Sequence, residues 1–431
     1  MTSLTSHWPT RRRQPREKPA GTVLLASTLL LAAALSGPSP AMAAETSWVG
    51  TWAASPQPIW GADFALPTKI PASVTDETIR QIVRVSLGGS RIRLVFSNAY
   101  GDRPLRIGGA SVGLAGETGA VSGTIHKITF GGGDTIVVPP GAPVVSDPLD
   151  IEVDAQGKLA VSLYLPGETP LTTFHWDGRQ TAWFGKGDLT AAKDFPATAS
   201  TDTRLFLSQV LVDTPNEGTV VAIGDSITDG NGATVDADTR WPDFLARRLA
   251  PHRVAVLNAG ISGGRLLQDK MGVNVAARLE RDVFSQPNLK AIIVLIGIND
   301  ISWPGTDFAP NQPQPTAQDL IAGYRQVISL AHARNVRVIG ATLLPFEGAL
   351  SGTPLDNYYH PDKDALRQEI NRWIRESGAF DAVVDFDAVL RDPERRERIA
   401  PSFDSGDHLH PGDAGNRAMA EAIDLDALLG R

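Results

Sequence analysis

The chain of 431 residues contains no cysteine. That absence excludes disulfides, zinc–thiolate sites, iron–sulfur clusters and cysteine nucleophiles together. Basic charge is also short: 40 Lys and Arg face 48 Asp and Glu, for a formal charge of −8. A surface of that sign excludes nucleic-acid binding as its main business. No run beyond residue 43 is long and apolar enough to cross a bilayer. With 42% apolar residues and only 20% charged, the chain is nonetheless far from the composition of a disordered protein. Its length predicts two packed domains.

What is present begins with a leader-like segment. Residues 11–18 are basic, residues 22–35 are apolar, and Ala41-Met42-Ala43 supplies small residues for cleavage. This order predicts a secretory signal over residues 1–43. The apolar run falls short of the ~20 residues a membrane anchor needs, and Gly37, Pro38 and Pro40 interrupt its continuation. Residues 1–43 carry a net +4, which leaves −12 on the rest. The expected mature protein is therefore acidic, exported to the periplasm or beyond, and without stable membrane insertion. Lacking disulfides, it needs a core large enough to hold itself together.

Two periodicities divide the remainder. Over residues 44–213, short alternating runs such as Ile79–Leu87, Arg91–Phe96 and Leu159–Leu165 are separated by Gly/Pro turns, including Gly88-Gly89-Ser90. This pattern predicts an all-β, jelly-roll-like sandwich domain. After the polar link Asp213–Gly218 the pattern changes. Apolar runs at Val220–Ile223, Val254–Leu257, Ala291–Ile296, Val336–Ala341 and Ala382–Phe386 alternate with helical stripes. Leu320, Tyr324, Val327, Ile328 and Ala331 form one stripe, and Leu366, Ile370, Trp373 and Ile374 form another in a helix opened by Pro361. Residues 218–431 thus read as an α/β domain with a parallel sheet, whose reactive groups belong at the carboxyl ends of its strands.

Candidate chemistry sits at those ends. The first strand runs into Gly224-Asp225-Ser226-Ile227-Thr228, which lacks the closing glycine of the Gly-x-Ser-x-Gly elbow. Alone it would read as an ordinary capped turn. Near the C-terminus stands Asp407-His408-Leu409-His410-Pro411. A serine hydroxyl becomes a useful nucleophile when an imidazole takes its proton and a carboxylate orients that ring. Asp407 and His410 are spaced for the second contact, with Pro411 expected at the first position of a helix. A zinc site at His408 and His410 is the weaker alternative, because alternate residues diverge. Asn258–Gly264 follows the second strand, and Gly297-Ile298-Asn299-Asp300 the third. The N–H groups of Gly260 and Ser226 and the Asn299 amide could serve a developing oxyanion. Turn formation is the plain alternative for each.

In this order, the four blocks resemble the SGNH (GDSL-type) hydrolase superfamily over roughly residues 218–431. The strand-rich half is similar to that of secreted esterases in a subgroup that includes arylesterases and acetylxylan esterases, on Ser47–Trp52 and Ser97–Gly101. The resemblance implies a flavodoxin-like three-layer fold with a shallow groove at the strand ends. It implies Ser226 as nucleophile, His410 as base and then acid, Asp407 as orienting acid, and Ser226, Gly260 and Asn299 as the oxyanion hole. No metal or organic cofactor is implied. The expected activity is hydrolysis of short acyl esters, acetyl groups on carbohydrate foremost, of a small-molecule or glycan substrate. Two alternatives stay open: a lipase, lysophospholipase or arylesterase on apolar esters, and a carbohydrate-binding module whose hydrolase half is vestigial.

Other features have plainer explanations beside functional ones. Trp48, Trp52, Trp60, Trp176 and Trp183 could form a sugar-stacking platform or could simply pack. Asp229, Asn231, Asp236 and Asp238 are rich in oxygen but lack the spacing of a calcium hand. Residues 302–316 and the stretch from Pro345 to His360 read as loops that could wall the groove.

Overall fold

The computed structural model describes residues 48–431, and the expected export signal lies outside the described residues. Alternation builds the strand-rich half. In Gly89–Ser97, Ile92, Leu94 and Phe96 are buried in the core while Arg91 and Arg93 alternate with them. The ring of Trp48 lies beneath both guanidinium groups. Five strands form one antiparallel sheet: Trp48–Ala53, Leu207–Asp213, Gly89–Ser97, Pro143–Val145 and Leu149–Val153. A second antiparallel sheet orders Ala199–Thr201, Ala182–Lys186, Glu77–Arg84, Lys158–Leu165, Gly109–Ala115 and Val121–Lys127. The Gly88-Gly89-Ser90 turn therefore joins strands of different sheets rather than closing a hairpin. Gly88 is required there, since a Cβ would lie 2.2 Å from the Val153 carbonyl oxygen.

The second half is a five-stranded parallel sheet. Its strands are β1 (Gly218–Gly224), β2 (Val254–Gly260), β3 (Leu289–Leu295), β4 (Arg337–Ala341) and β5 (Ala382–Val384), in the order β2-β1-β3-β4-β5. That is the doubly wound order of flavodoxin-like folds. Val220 to Ile223 are fully buried, as expected of a parallel strand covered on both faces. Five helices matter below: α1 (Ser226–Asp229), α2 (Trp241–Leu249), α3 (Ala317–His332), α4 (Pro361–Glu376) and α5 (Asp413–Glu421). Thr316 and Asp319 cap α3 reciprocally, and Pro361 opens α4. Helix α5 begins two residues later than Pro411, with Gly412 as its N-cap. Pro411 instead bridges to Asp404, and Asn416 reaches back to its carbonyl.

The described residues lie in one compact unit, and a single apolar cluster runs from Val49 to Leu428. Polar contacts also join the two sequence regions. Gln57 donates to the Met271 carbonyl at 2.6 Å, and Arg281 reaches both Tyr100 and the Pro56 carbonyl.

Candidate active site

The β1 strand delivers its last residue, Gly224, directly to the capped turn that opens α1. Asp225 is the N-cap, its Oδ1 accepting the Ile227 N–H at 3.0 Å, so Ser226 starts the helix. Gly230 closes this single turn in the left-handed region, at φ +114°. The other Asp225 oxygen is buried without a partner, and burial pushes the carboxyl up to about 7.

Ser226, 184 positions before His410 in the chain, meets it in space: Oγ lies 2.8 Å from His410 Nε2. His410 Nδ1 lies 2.5 Å from Asp407 Oδ2, and Asp407 Oδ1 accepts the N–H groups of His410 and Leu409 at 2.8 and 2.9 Å. Burial opposes the Asp407 charge. The imidazole and these N–H groups outweigh it and hold the carboxyl well below the usual carboxylate range. An ionised Asp407 can only accept, so Nδ1 carries the proton. Nε2 is then free to accept from the serine hydroxyl. His408 stands apart with its ring paired to Asp404. It does not join a ligand set with His410, because its backbone turns through φ +63°.

The loop after β2 corrects one expectation. Gly260 is still within β2, and its N–H is donated to Asn258 Oδ1 at 2.8 Å, so it is not available to an oxyanion. It is a glycine because α1 crosses close by: a Cβ would lie 2.3 Å from the Asp229 nitrogen. Gly263 lines the cleft instead, at φ +73°, and its N–H makes no hydrogen bond among the described residues; the same holds for the Ser226 N–H. Both sides of this loop are tethered. Asp229 Oδ2 accepts from Ser262 N and Oγ at 2.8 and 2.9 Å, and the Asp300 oxygens accept the N–H groups of Leu266 and Leu267. Burial raises the Asp300 carboxyl to about 6. Asn299 Nδ2 donates to the Gly264 carbonyl at 2.9 Å, and Tyr358 donates its hydroxyl to Asn299 Oδ1 at 2.8 Å. One hydrogen of the Asn299 amide remains for the cleft.

The cleft encloses about 200 Å³ and is deeper than the shallow groove expected, with Ser226 only 7% and His410 only 5% exposed. Its walls come from both loops flagged in the sequence. Trp303 and Phe308 belong to one, and Leu350, Leu355 and Tyr358 to the other. Leu66 and Trp176 come from the strand-rich half, which therefore borders the site. His175, next to Trp176, bonds Asp229 at 2.8 Å and so holds α1 from outside the parallel sheet. Gly263 and His175 were not legible as site residues, whereas Tyr358 lies in one of the flagged loops. The one available signal was the glycine pair after Ser262, which marks a loop able to approach a ligand closely.

Two features left open in the sequence take their plainer reading. Trp60 packs edge-on against Phe64 and Phe174 and tilts against Trp176, while Trp52 and Trp176 are buried, so these rings are internal packing rather than a platform. The oxygen-rich loop diverges: Asp229 turns to His175, Asp236 to Thr181, and Asp238 to Gln180 and Lys158. Among the described residues no group of three or more His, Asp or Glu is placed to hold a metal ion.

A parallel sheet presenting this serine, imidazole and carboxylate at its strand ends defines a hydrolase. Residues 220–423 match the family model of GDSL-like lipases and acylhydrolases. This part of the chain is a GDSL-like acylhydrolase domain, and the protein is a carboxylic ester hydrolase. Similar solved structures include a carbohydrate acetylesterase family member from Sinorhizobium meliloti, at 17% identity and TM-score 0.39, with 50% of this chain and 100% of that one covered. A GDSL-like lipase from Bacteroides thetaiotaomicron is 18% identical with TM-score 0.37, covering 49% and 88%. A variant of an acetyl-xylooligosaccharide esterase from Geobacillus is 21% identical with TM-score 0.35, covering 51% and 96%. No curated protein matches this chain.

Proposed function

We propose that the protein is an exported serine esterase that hydrolyses short acyl esters through an acyl-serine intermediate. The observation that carries this reading is the 2.8 Å contact between Ser226 Oγ and His410 Nε2. Ser226 Oγ attacks the ester carbonyl carbon as its proton passes to Nε2. The carbonyl oxygen, now an alkoxide, takes hydrogen bonds from the N–H groups of Ser226 and Gly263 and from Asn299 Nδ2. Collapse breaks the bond to the alcohol, which leaves with the proton from His410. Water then attacks the acyl-serine, giving His410 one proton, and Ser226 departs with it as acid is released. Asp407 holds the ring in the tautomer that each step needs.

Cleft size supports a short acyl group. Its lining, with Trp176, Met271, Trp303, Phe308 and Leu355 beside few polar groups, supports an apolar or aryl group inside it over a sugar ring. Deacetylation of glycans remains the competing outcome, with the sugar outside the cleft. We also read residues 1–43 as a cleaved export signal and the two antiparallel sheets of residues 48–213 as a sandwich that completes the cleft wall. Acid release from phenyl acetate, short p-nitrophenyl esters and acetylated xylan, with Ser226→Ala as blank, tests the proposal. Turnover of the aryl and short-chain esters is expected. Release from acetylated xylan alone would overturn the apolar reading, and inertness towards all would overturn the esterase.

A further inference from the structure

A second cavity adjoins the cleft. It measures about 1110 Å³ and lies in the strand-rich half among Trp60, Phe64, Leu171 and Phe184. Leu66 lines both cavities. The backbone on which Leu66 stands is fixed by two indoles: Trp60 Nε1 donates to the Leu66 carbonyl at 2.8 Å, and Trp176 Nε1 to the Pro67 carbonyl at 2.9 Å. The aromatic cluster beneath continues into the hydrolase domain, since Phe64 meets Phe308 at 4.6 Å between centroids. Lys69 lies 4.2 Å over the Trp176 ring and pairs with Asp202 at 2.9 Å, tying down the segment that follows. Leu66 thus stands on a fixed backbone and borders both spaces.

We propose that Leu66 limits the length of the ester substituent the cleft accepts, and that the larger cavity behind it takes a longer alkyl or acyl chain once this side chain is shortened. This rests on the esterase reading above and adds its size determinant. On this proposal, removing three carbons at Leu66 opens the cleft of about 200 Å³ towards a space several times larger. Chain methylenes that the native cleft leaves in water would then be buried.

The test compares kcat/KM for p-nitrophenyl acetate through octanoate, and for acetates of straight-chain alcohols from methyl to octyl. It uses the whole protein, Leu66→Ala and Leu66→Phe. The quantity read is the ratio of longest to shortest substrate within each protein, which cancels differences in folded fraction. In at least one series the ratio is expected to rise about tenfold in Leu66→Ala, the gain from about two newly buried methylenes. It is expected to fall in Leu66→Phe. The series that responds identifies whether the acyl or the alcohol chain points at Leu66. Ratios equal to wild type in both series, or moving the same way in both variants, overturn the proposal. Should Leu66→Ala not fold, an unchanged or higher ratio in Leu66→Phe does so alone. Wild-type protein inert to every ester defeats the esterase reading and this proposal with it. Wild-type turnover with unmoved ratios defeats this proposal alone.

Discussion

Tyr358 donates its hydroxyl to the side-chain oxygen of Asn299 at 2.8 Å. Burial holds the phenol pKa well above its ordinary value, so this group remains a donor throughout the working pH range. The contact decides which end of the Asn299 amide faces the cleft. Replacing Asn299 by Ala should lower kcat on the order of 10²–10³-fold, the effect of losing one oxyanion donor. Tyr358→Phe leaves the amide but frees its orientation, so a smaller fall is expected, about tenfold, in kcat rather than KM. Steady-state kinetics on p-nitrophenyl acetate check both. A Tyr358→Phe effect confined to KM would contradict the orienting role.

Asp407 is expected to stay ionised far into acid, since His410 and two backbone N–H groups hold its pKa below the ordinary range. Asp407→Asn should keep the fold and lower kcat by roughly 10⁴-fold, because an amide no longer specifies the productive tautomer of the ring. Retention of more than a tenth of the wild-type kcat would remove Asp407 from the machinery.

His175 is fully buried and contacts Asp229 at 2.8 Å and the Ser55 carbonyl at 3.0 Å. Burial alone would lower its pKa, but Asp229 and these hydrogen bonds leave it raised. A raised imidazole pKa stabilises the fold fully below the unfolded value of about 6.5, and that contribution is lost as pH rises through the folded value. His175→Ala leaves the Asp229 carboxyl buried without its imidazole, at a cost of about 3–5 kcal/mol. Urea denaturation at pH 6 should show it. An unchanged midpoint would mean that the pair does not hold α1 in place.

Asp225 acts with the same sign over a lower pH window. Burial lifts its folded pKa to about 7, above the ordinary carboxylate value, so near neutral pH the folded state binds a proton that the unfolded chain has released. Its stabilising contribution is present below about pH 4 and fades as pH rises towards 7. Asp225→Asn keeps an oxygen for the Ile227 N–H and removes the titration. The melting temperature of the variant should fall less between pH 4 and 7 than that of the wild type. Parallel curves would contradict the assignment.

Much of the hydrolase half was legible because its signals are local. The runs at Val220–Ile223 and Val254–Leu257 are uninterrupted and apolar, and each lies within an observed strand. The stripe at residues 320–331 falls inside α3, with its cap visible as Thr316 and Asp319. Ser226, Asp407 and His410 could be named because their chemistry limits residue type. Gly260 was misassigned for a physical reason: two glycines in one loop serve different ends. One allows a helix to cross, and the other lines the cleft with an N–H that makes no hydrogen bond among the described residues. Strand ranges alone do not distinguish them. Helix α2 starts with Pro242 in its first turn, where helices tolerate proline although the residue is a breaker elsewhere. Leu66, Trp176 and His175 reach the site only through packing between distant segments, which no local pattern encodes.

In the proposed cycle Ser226 carries the acyl group. Brief mixing with p-nitrophenyl acetate, an acid quench and peptide mass spectrometry would show it. An acetyl adduct is expected on the peptide containing Ser226, accumulating in the wild type and absent from Ser226→Ala. Sustained ester turnover by Ser226→Ala, or an adduct on another residue that forms and decays at the catalytic rate, would contradict it.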